Sequence, residues 1–140
     1  MFDENRVVSV QDPQLDGPRR WCHVMYALHA LSALSGLAGS ATIVGAFAFG
    51  WPSIIAVVIN YVQRSEVAGS WLESHWRWQL RTFWFAVMWF FVAGAFAITI
   101  VGIPVAWLVF IVAGLWVLYR VVRGWTALAG RRDLPLPERK

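Results

Sequence analysis

Few side chains in this 140-residue sequence could ligate a metal or haem through nitrogen or sulfur. The nitrogen and thiolate candidates are His23, His29, His75 and the one cysteine, Cys22. His29 is the main one. It falls in a long uncharged tract, where a polar group is a functional suspect by default if that tract lies in lipid. Ser32, Gly36 and Ser40 follow at i+3, i+7 and i+11 and share its helix face. Such a small-residue stripe lets another helix approach closely. Three roles are open to His29: a hydrogen bond that fixes helix packing, a station on a proton or substrate path, or ligation of haem. Haem usually needs a second axial ligand. His23 is too shallow on the same helix to provide it, and His75 reaches only if its own segment tucks inward. No HExxH, His-rich tract or carboxylate cluster supports a metal site. A lone cysteine excludes an internal disulfide, and its expected place is the membrane interface.

Asn60 is the second buried candidate. An asparagine there is expected to bond across helices, or to backbone freed by the nearby proline turn. Catalysis has little support. The sequence shows no nucleophile–base spacing, no glycine-rich phosphate loop, and no carboxylate inside either uncharged tract. Glu73 and His75 are two residues apart and would point to different faces of a helix. The chain is therefore expected not to be an enzyme.

The elements that position these residues follow from where charge is missing. Apolar residues make up 59% of the chain and charged residues 14%, against roughly 45–50% and about 25% in soluble domains. All twelve basic residues fall in three blocks. The first holds Arg6, Arg19 and Arg20, and the second Arg64, Arg77 and Arg81. The third runs from Arg120 and Arg123 through Arg131 and Arg132 to Arg139 and Lys140. The acidic residues lie in the same blocks, so 21–63 and 82–119 carry no Asp, Glu, Lys or Arg. A charge at mid-bilayer costs roughly 2.5–3.5 kcal/mol on insertion scales, and a spanning helix takes about 20 residues. Each tract is long enough for two helices, so each should leave and return on one side. All three basic blocks then share a face, which the positive-inside rule makes cytoplasmic. The expectation is an all-α integral membrane protein with four transmembrane helices in two hairpins and an interfacial amphipathic connector helix.

Along the chain this gives a cytoplasmic tail (1–20), a first hairpin (21–64), a connector (65–81), a second hairpin (82–125) and a basic cytoplasmic tail (126–140). The turn of the first hairpin falls either at "FGWPS", near 50–52, or at "LAGSAT", 37–42. The first choice puts Pro52 in the opening turn of a short second helix, where proline is favoured. The second leaves it as a kink. In the connector, Ser70 and Glu73 have the spacing of a capping box. Glu73, Arg77 and Arg81 follow at i+4 as ion-pair partners. Trp71, His75, Trp76 and Trp78 bring aromatic rings alongside those charges. A helix of this kind is expected to lie at headgroup level, although a continuous extension of the third helix fits the same residues. The basic clusters suit anionic lipids and make nucleic acid the weaker partner.

Residues 26–128 resemble a group of uncharacterised small bacterial inner-membrane proteins. That group is distantly related to the four-helix import-translocon component of the chloroplast inner envelope. The resemblance rests on "YALHALSALSG" (26–36), "WPSIIAVVINYVQRSE" (51–66), "WLESHWRWQLRTFWF" (71–85) and "YRVVRGWTAL" (119–128). It implies four helices with both termini cytoplasmic in the bacterial inner membrane, and it brings no substrate, cofactor or catalytic residue. The leading expectation is a non-enzymatic accessory or assembly subunit of a membrane complex, or a homo-oligomer. The alternatives are a transport or translocation module, and a haem-binding redox accessory subunit using His29.

Overall fold

The structure, a computed structural model, describes residues 13–38 and 50–135. These residues form four α-helices and no strand: α1 Asp16–Ala38, α2 Trp51–Gln63, α3 Leu72–Ala97 and α4 Ile103–Ala129. Short 3-10 turns precede α1 (Pro13–Leu15) and follow α2 (Arg64–Val67). The helices pack in the order α2, α1, α4, α3, with lighter contact between α2 and α3 closing the bundle.

Proline and glycine mark where helices begin. Pro52 and Pro104 each sit in the first turn of their helix, where a missing N–H costs no hydrogen bond. The Pro52 placement matches the 50–52 alternative. Of the competing segment, 37–42, Leu37 and Ala38 are the last residues of α1 and 39–42 lie outside the described residues. The α3–α4 turn is tight. Gly102 N–H donates to the Thr99 carbonyl at 2.9 Å, and a Cβ on Gly102 would strike the Phe96 carbonyl and the Thr99 hydroxyl. No side chain larger than hydrogen fits there.

One expectation is met in part and one is corrected. The all-helical class with four helices is present, and among the described residues two of them, α3 and α4, are long and apolar enough to cross a membrane. The described part of α1 opens with Asp16, Arg19 and Arg20. α2 has only 13 residues, or about 20 Å at 1.5 Å per residue. The correction concerns the connector. Residues 72–81 are not a separate helix but the first turns of α3, which runs unbroken from Leu72 to Ala97. No proline and no glycine interrupts it before Gly94, and Gln79, Thr82 and Ala93 all turn the same way, into the protein.

The buried core lies at one end of the bundle. Cys22, Met25 and Tyr26 of α1, Ala56 of α2, Leu72 and Trp76 of α3, and Val121 and Leu128 of α4 meet there. This is also the end where the charged segments converge. The far ends of α3 and α4 are bare: Ile98, Ile100 and Val101 are 86–88% exposed. Only 11% of the apolar stretch of each helix is buried inside the protein. A soluble core helix would be mostly covered, so these two helices present their hydrocarbon outward.

Candidate functional site

The polar side chains drawn inward gather at the arginine-rich end, around His75. His75 is fully buried and uses both ring nitrogens. Its Nε2 lies 2.7 Å from the Arg132 carbonyl and its Nδ1 lies 3.0 Å from the Tyr26 hydroxyl. A carbonyl can only accept, so Nε2 carries a proton, and in the neutral imidazole Nδ1 then accepts from the Tyr26 O–H.

This relay joins three separate parts of the chain and a fourth closes on it. Tyr26 comes from α1, His75 from α3, and Arg132 from the segment after α4. Gly124 of α4 lies flat against the Tyr26 ring, and a Cβ there would sit 2.7 Å from two ring carbons. The segment after α4 is brought back by the helix end itself. Arg131 adopts φ 51°, Arg132 N–H donates to the Ala127 carbonyl at 2.9 Å, and Arg131 N–H donates to the Leu128 carbonyl at 3.0 Å. That pair of bonds is a Schellman motif, with arginine rather than the adjacent Gly130 in the left-handed position. Leu134 then buries its side chain and donates its N–H to Ser74 Oγ at 3.0 Å.

His29 faces α2. Its Nδ1 lies 3.0 Å from Ser53 Oγ, and its ring packs at 6.5 Å from that of Phe83. This is the inter-helix hydrogen bond expected as one of its three roles. His75, the second ligand a haem reading would recruit, has neither nitrogen free. His23 Nδ1 accepts from Trp125 Nε1 at 3.0 Å, tying α1 to α4. Among the described residues no group of three His, Cys, Asp or Glu side chains could hold a metal. Of the small-residue stripe, Gly36 meets Phe110 of α4 at ordinary van der Waals distance, Ser32 is half-buried, and Ser40 lies outside the described residues.

Asn60 reaches across from α2 and donates to the Trp76 carbonyl of α3 at 3.1 Å, while its Oδ1 is buried without a partner. Gln79 Nε2 donates to Cys22 Sγ at 3.3 Å, so the thiol is an interior acceptor rather than an interfacial group. His75 and Trp76, expected at headgroup level, are inside the protein for the same reason. The α3 face that carries them is pressed against α1 and α2. Trp71 and Trp78 are half-buried at the edge of this core, and Arg77 and Arg81 are exposed.

The expected capping box does not form. Glu73 Oε2 accepts from Gly69 N–H at 2.9 Å, but Ser70 donates its hydroxyl to the Val67 carbonyl at 2.7 Å instead of capping α3. Gly69 at φ 77° turns the chain so that its own amide, not that of Ser70, faces the carboxylate. Glu73 also pairs with Arg77 at 3.8 Å, whereas Arg81 stacks over Phe85 at 5.8 Å. An open cleft of about 400 Å³ between Glu73, Ser74, Arg77 and Asp133 adjoins the core. Nothing in it pairs a nucleophile with a base.

Sequence reasoning missed Tyr26, Gln79, Arg120 and the folded-back segment 130–135. Leu134, the apolar residue between charges and prolines, was the one sequence signal for that segment. Compared with known proteins, the chain matches no family model, no curated protein and no solved structure.

Proposed function

We propose that this chain is a small, non-enzymatic integral protein of the bacterial inner membrane. In this reading all four helices lie in the bilayer as two hairpins, with both termini cytoplasmic. The protein serves as an accessory or assembly subunit of a larger membrane complex, or assembles with copies of itself. One observation carries the reading: the outer lengths of α3 and α4 are apolar and uncovered, while the charged segments converge on the opposite end. Lipid at mid-depth accepts the first and rejects the second.

The interior at the charged end supports a structural role. Each histidine holds a contact between helices or to the folded-back segment. The resemblance to small inner-membrane proteins supports the same topology. Two experiments test the proposal. Reporters placed after Arg20, near Ser65 and at the carboxyl end are expected on one side of the membrane, and opposite sides would refute the hairpins. Purification in mild detergent is expected to yield an oligomer or a co-purifying membrane protein. A strictly monomeric species with no partner would refute the subunit role.

A further inference from the structure

At the charged end of the α3–α4 pair, three guanidinium groups gather without any acid. Arg120 is fixed at the centre. Its Nε donates to Thr82 Oγ1 at 2.7 Å, and the Thr82 hydroxyl in turn donates to the Trp78 carbonyl at 2.8 Å. The Trp78 indole N–H donates to the Arg120 carbonyl at 3.1 Å. The Arg120 guanidinium lies 3.6 Å from the centre of the Trp78 ring and 5.1 Å from that of Trp116. Arg123 sits 5.7 Å from the same Trp78 ring. Arg81 lies 5.8 Å from the centre of the Phe85 ring, which packs at 6.1 Å against the ring of Trp116, and so completes the group. Among the described residues no carboxylate pairs with any of the three.

Indole faces and neutral oxygens hold the central guanidinium in place but do not neutralise three like charges. An anion that neutralises them comes from outside the chain. Arg120 spends its Nε on Thr82, which leaves the paired Nη edge that suits a phosphate bidentately. Arg81 and Arg123 are exposed and can close on the same group. Immediately toward the uncharged tract lie exposed Phe85, Leu115 and Tyr119. An anion with hydrocarbon chains satisfies both halves of this surface, and a free anion only one.

We infer that Arg81, Arg120 and Arg123, framed by Trp78 and Trp116, form a binding site for the phosphate of an anionic phospholipid whose acyl chains lie along α3 and α4. The inference rests on the membrane reading above and adds a ligand to it. Zwitterionic lipids are disfavoured because their own cationic headgroup competes for the phosphate.

The test uses the full-length protein in mild detergent. It is titrated separately with dioleoylphosphatidylglycerol, dioleoylphosphatidylcholine and inorganic phosphate, with bound lipid counted by native mass spectrometry. Phosphatidylglycerol is expected to be retained in preference to both others. The R81Q/R123Q double variant, altered only at exposed arginines, is expected to bind it roughly 30-fold more weakly. Either single variant, which keeps the test readable if the double does not fold, should lose about fivefold. An R64Q/R77Q variant is expected to bind as the wild type does. Equal retention of the two lipids, or equal losses in both double variants, would overturn the site in favour of diffuse charge. Tight binding of inorganic phosphate alone would overturn the lipid assignment. Fractionation of cells separates this from the parent reading. A protein absent from the membrane fraction refutes the membrane placement, whereas a membrane-bound protein without lipid preference refutes the site alone.

Discussion

Replacing Tyr26 by phenylalanine removes one oxygen at the point where α1, α3, α4 and the folded-back segment meet. Nε2 of His75 must donate to the Arg132 carbonyl, so in the neutral imidazole Nδ1 accepts, and the Tyr26 hydroxyl is its donor. In Tyr26→Phe that nitrogen stays buried, since His75 has no exposed surface for water to reach. Leaving a buried acceptor without a donor costs about 1–3 kcal/mol. Hydrogen bonds between helices in bilayers average only about 0.6 kcal/mol, because a freed group often finds a new partner. His75 is fully buried, with the Trp71 ring edge-on to it at 5.6 Å, so the higher figure applies. For a chain of this size that corresponds to a fall in melting temperature of roughly 3–10 °C. Thermal unfolding in detergent, followed by the near-ultraviolet dichroism of the tryptophans, reads the shift. Tyr119→Phe is the control. Its hydroxyl is exposed and only weakly engaged by Arg123 at 3.5 Å, and its loss should stay within about 0.5 kcal/mol of wild type. If Tyr26→Phe melts with the wild type while the fold is unchanged, the relay holds nothing together and the reasoning fails.

Gly124→Ala is expected to destabilise by about 1–3 kcal/mol, through overpacking against the Tyr26 ring, and the same melts check it. Asn60→Leu removes one hydrogen bond to Trp76 but also an unpartnered buried Oδ1. It should therefore be nearly neutral, whereas Asn60→Asp, which adds a buried charge, should melt well below wild type.

Charge placement made the helical class and the positions of the apolar tracts legible, because a missing charge over some forty residues has few meanings. Pro52 made the start of α2 legible, because proline tolerates only the first turn of a helix. The interior of the charged end was not legible. "ESHWRWQLRTFWF" looks the same whether its aromatic face meets lipid headgroups or three neighbouring helices, and only the packing of α1 and α2 decides. His75 and Trp76 are buried because that face found protein. Tyr26 was hidden for a different reason. Its importance comes from Gly124 and His75, 98 and 49 residues away along the chain, and no local pattern encodes such pairings. The folded-back segment depends on a left-handed arginine at 131, where Gly130 would have suggested the turn one residue earlier.

The distribution of polar contacts has a physical logic in lipid. Helices surrounded by hydrocarbon gain nothing from burying leucine against leucine, since lipid tails are equally apolar. Their mutual arrangement must then be fixed elsewhere. Here the contacts that join the two hairpins lie at the charged end: Asn60 to Trp76, Tyr26 to His75, and His23 to Trp125, with Trp78 to Arg120 inside the α3–α4 pair and His29 to Ser53, farther along, inside the α1–α2 pair. The outer turn, by contrast, is secured only within itself, through Thr99 and Gly102. Disrupting the charged end should therefore let α3 and α4 separate from α1 and α2 while each pair keeps its helices. Substitutions among the exposed residues near Ile98 to Val101 should leave that arrangement intact and alter only what the bare apolar surface meets. A crosslink between α1 and α4 at the level of His23 and Trp125 should restore the stability lost in Tyr26→Phe, and one placed near Gly36 and Phe110 should restore less. Equal rescue from both positions would show that the specifying contacts are spread along the bundle instead of concentrated at its charged end.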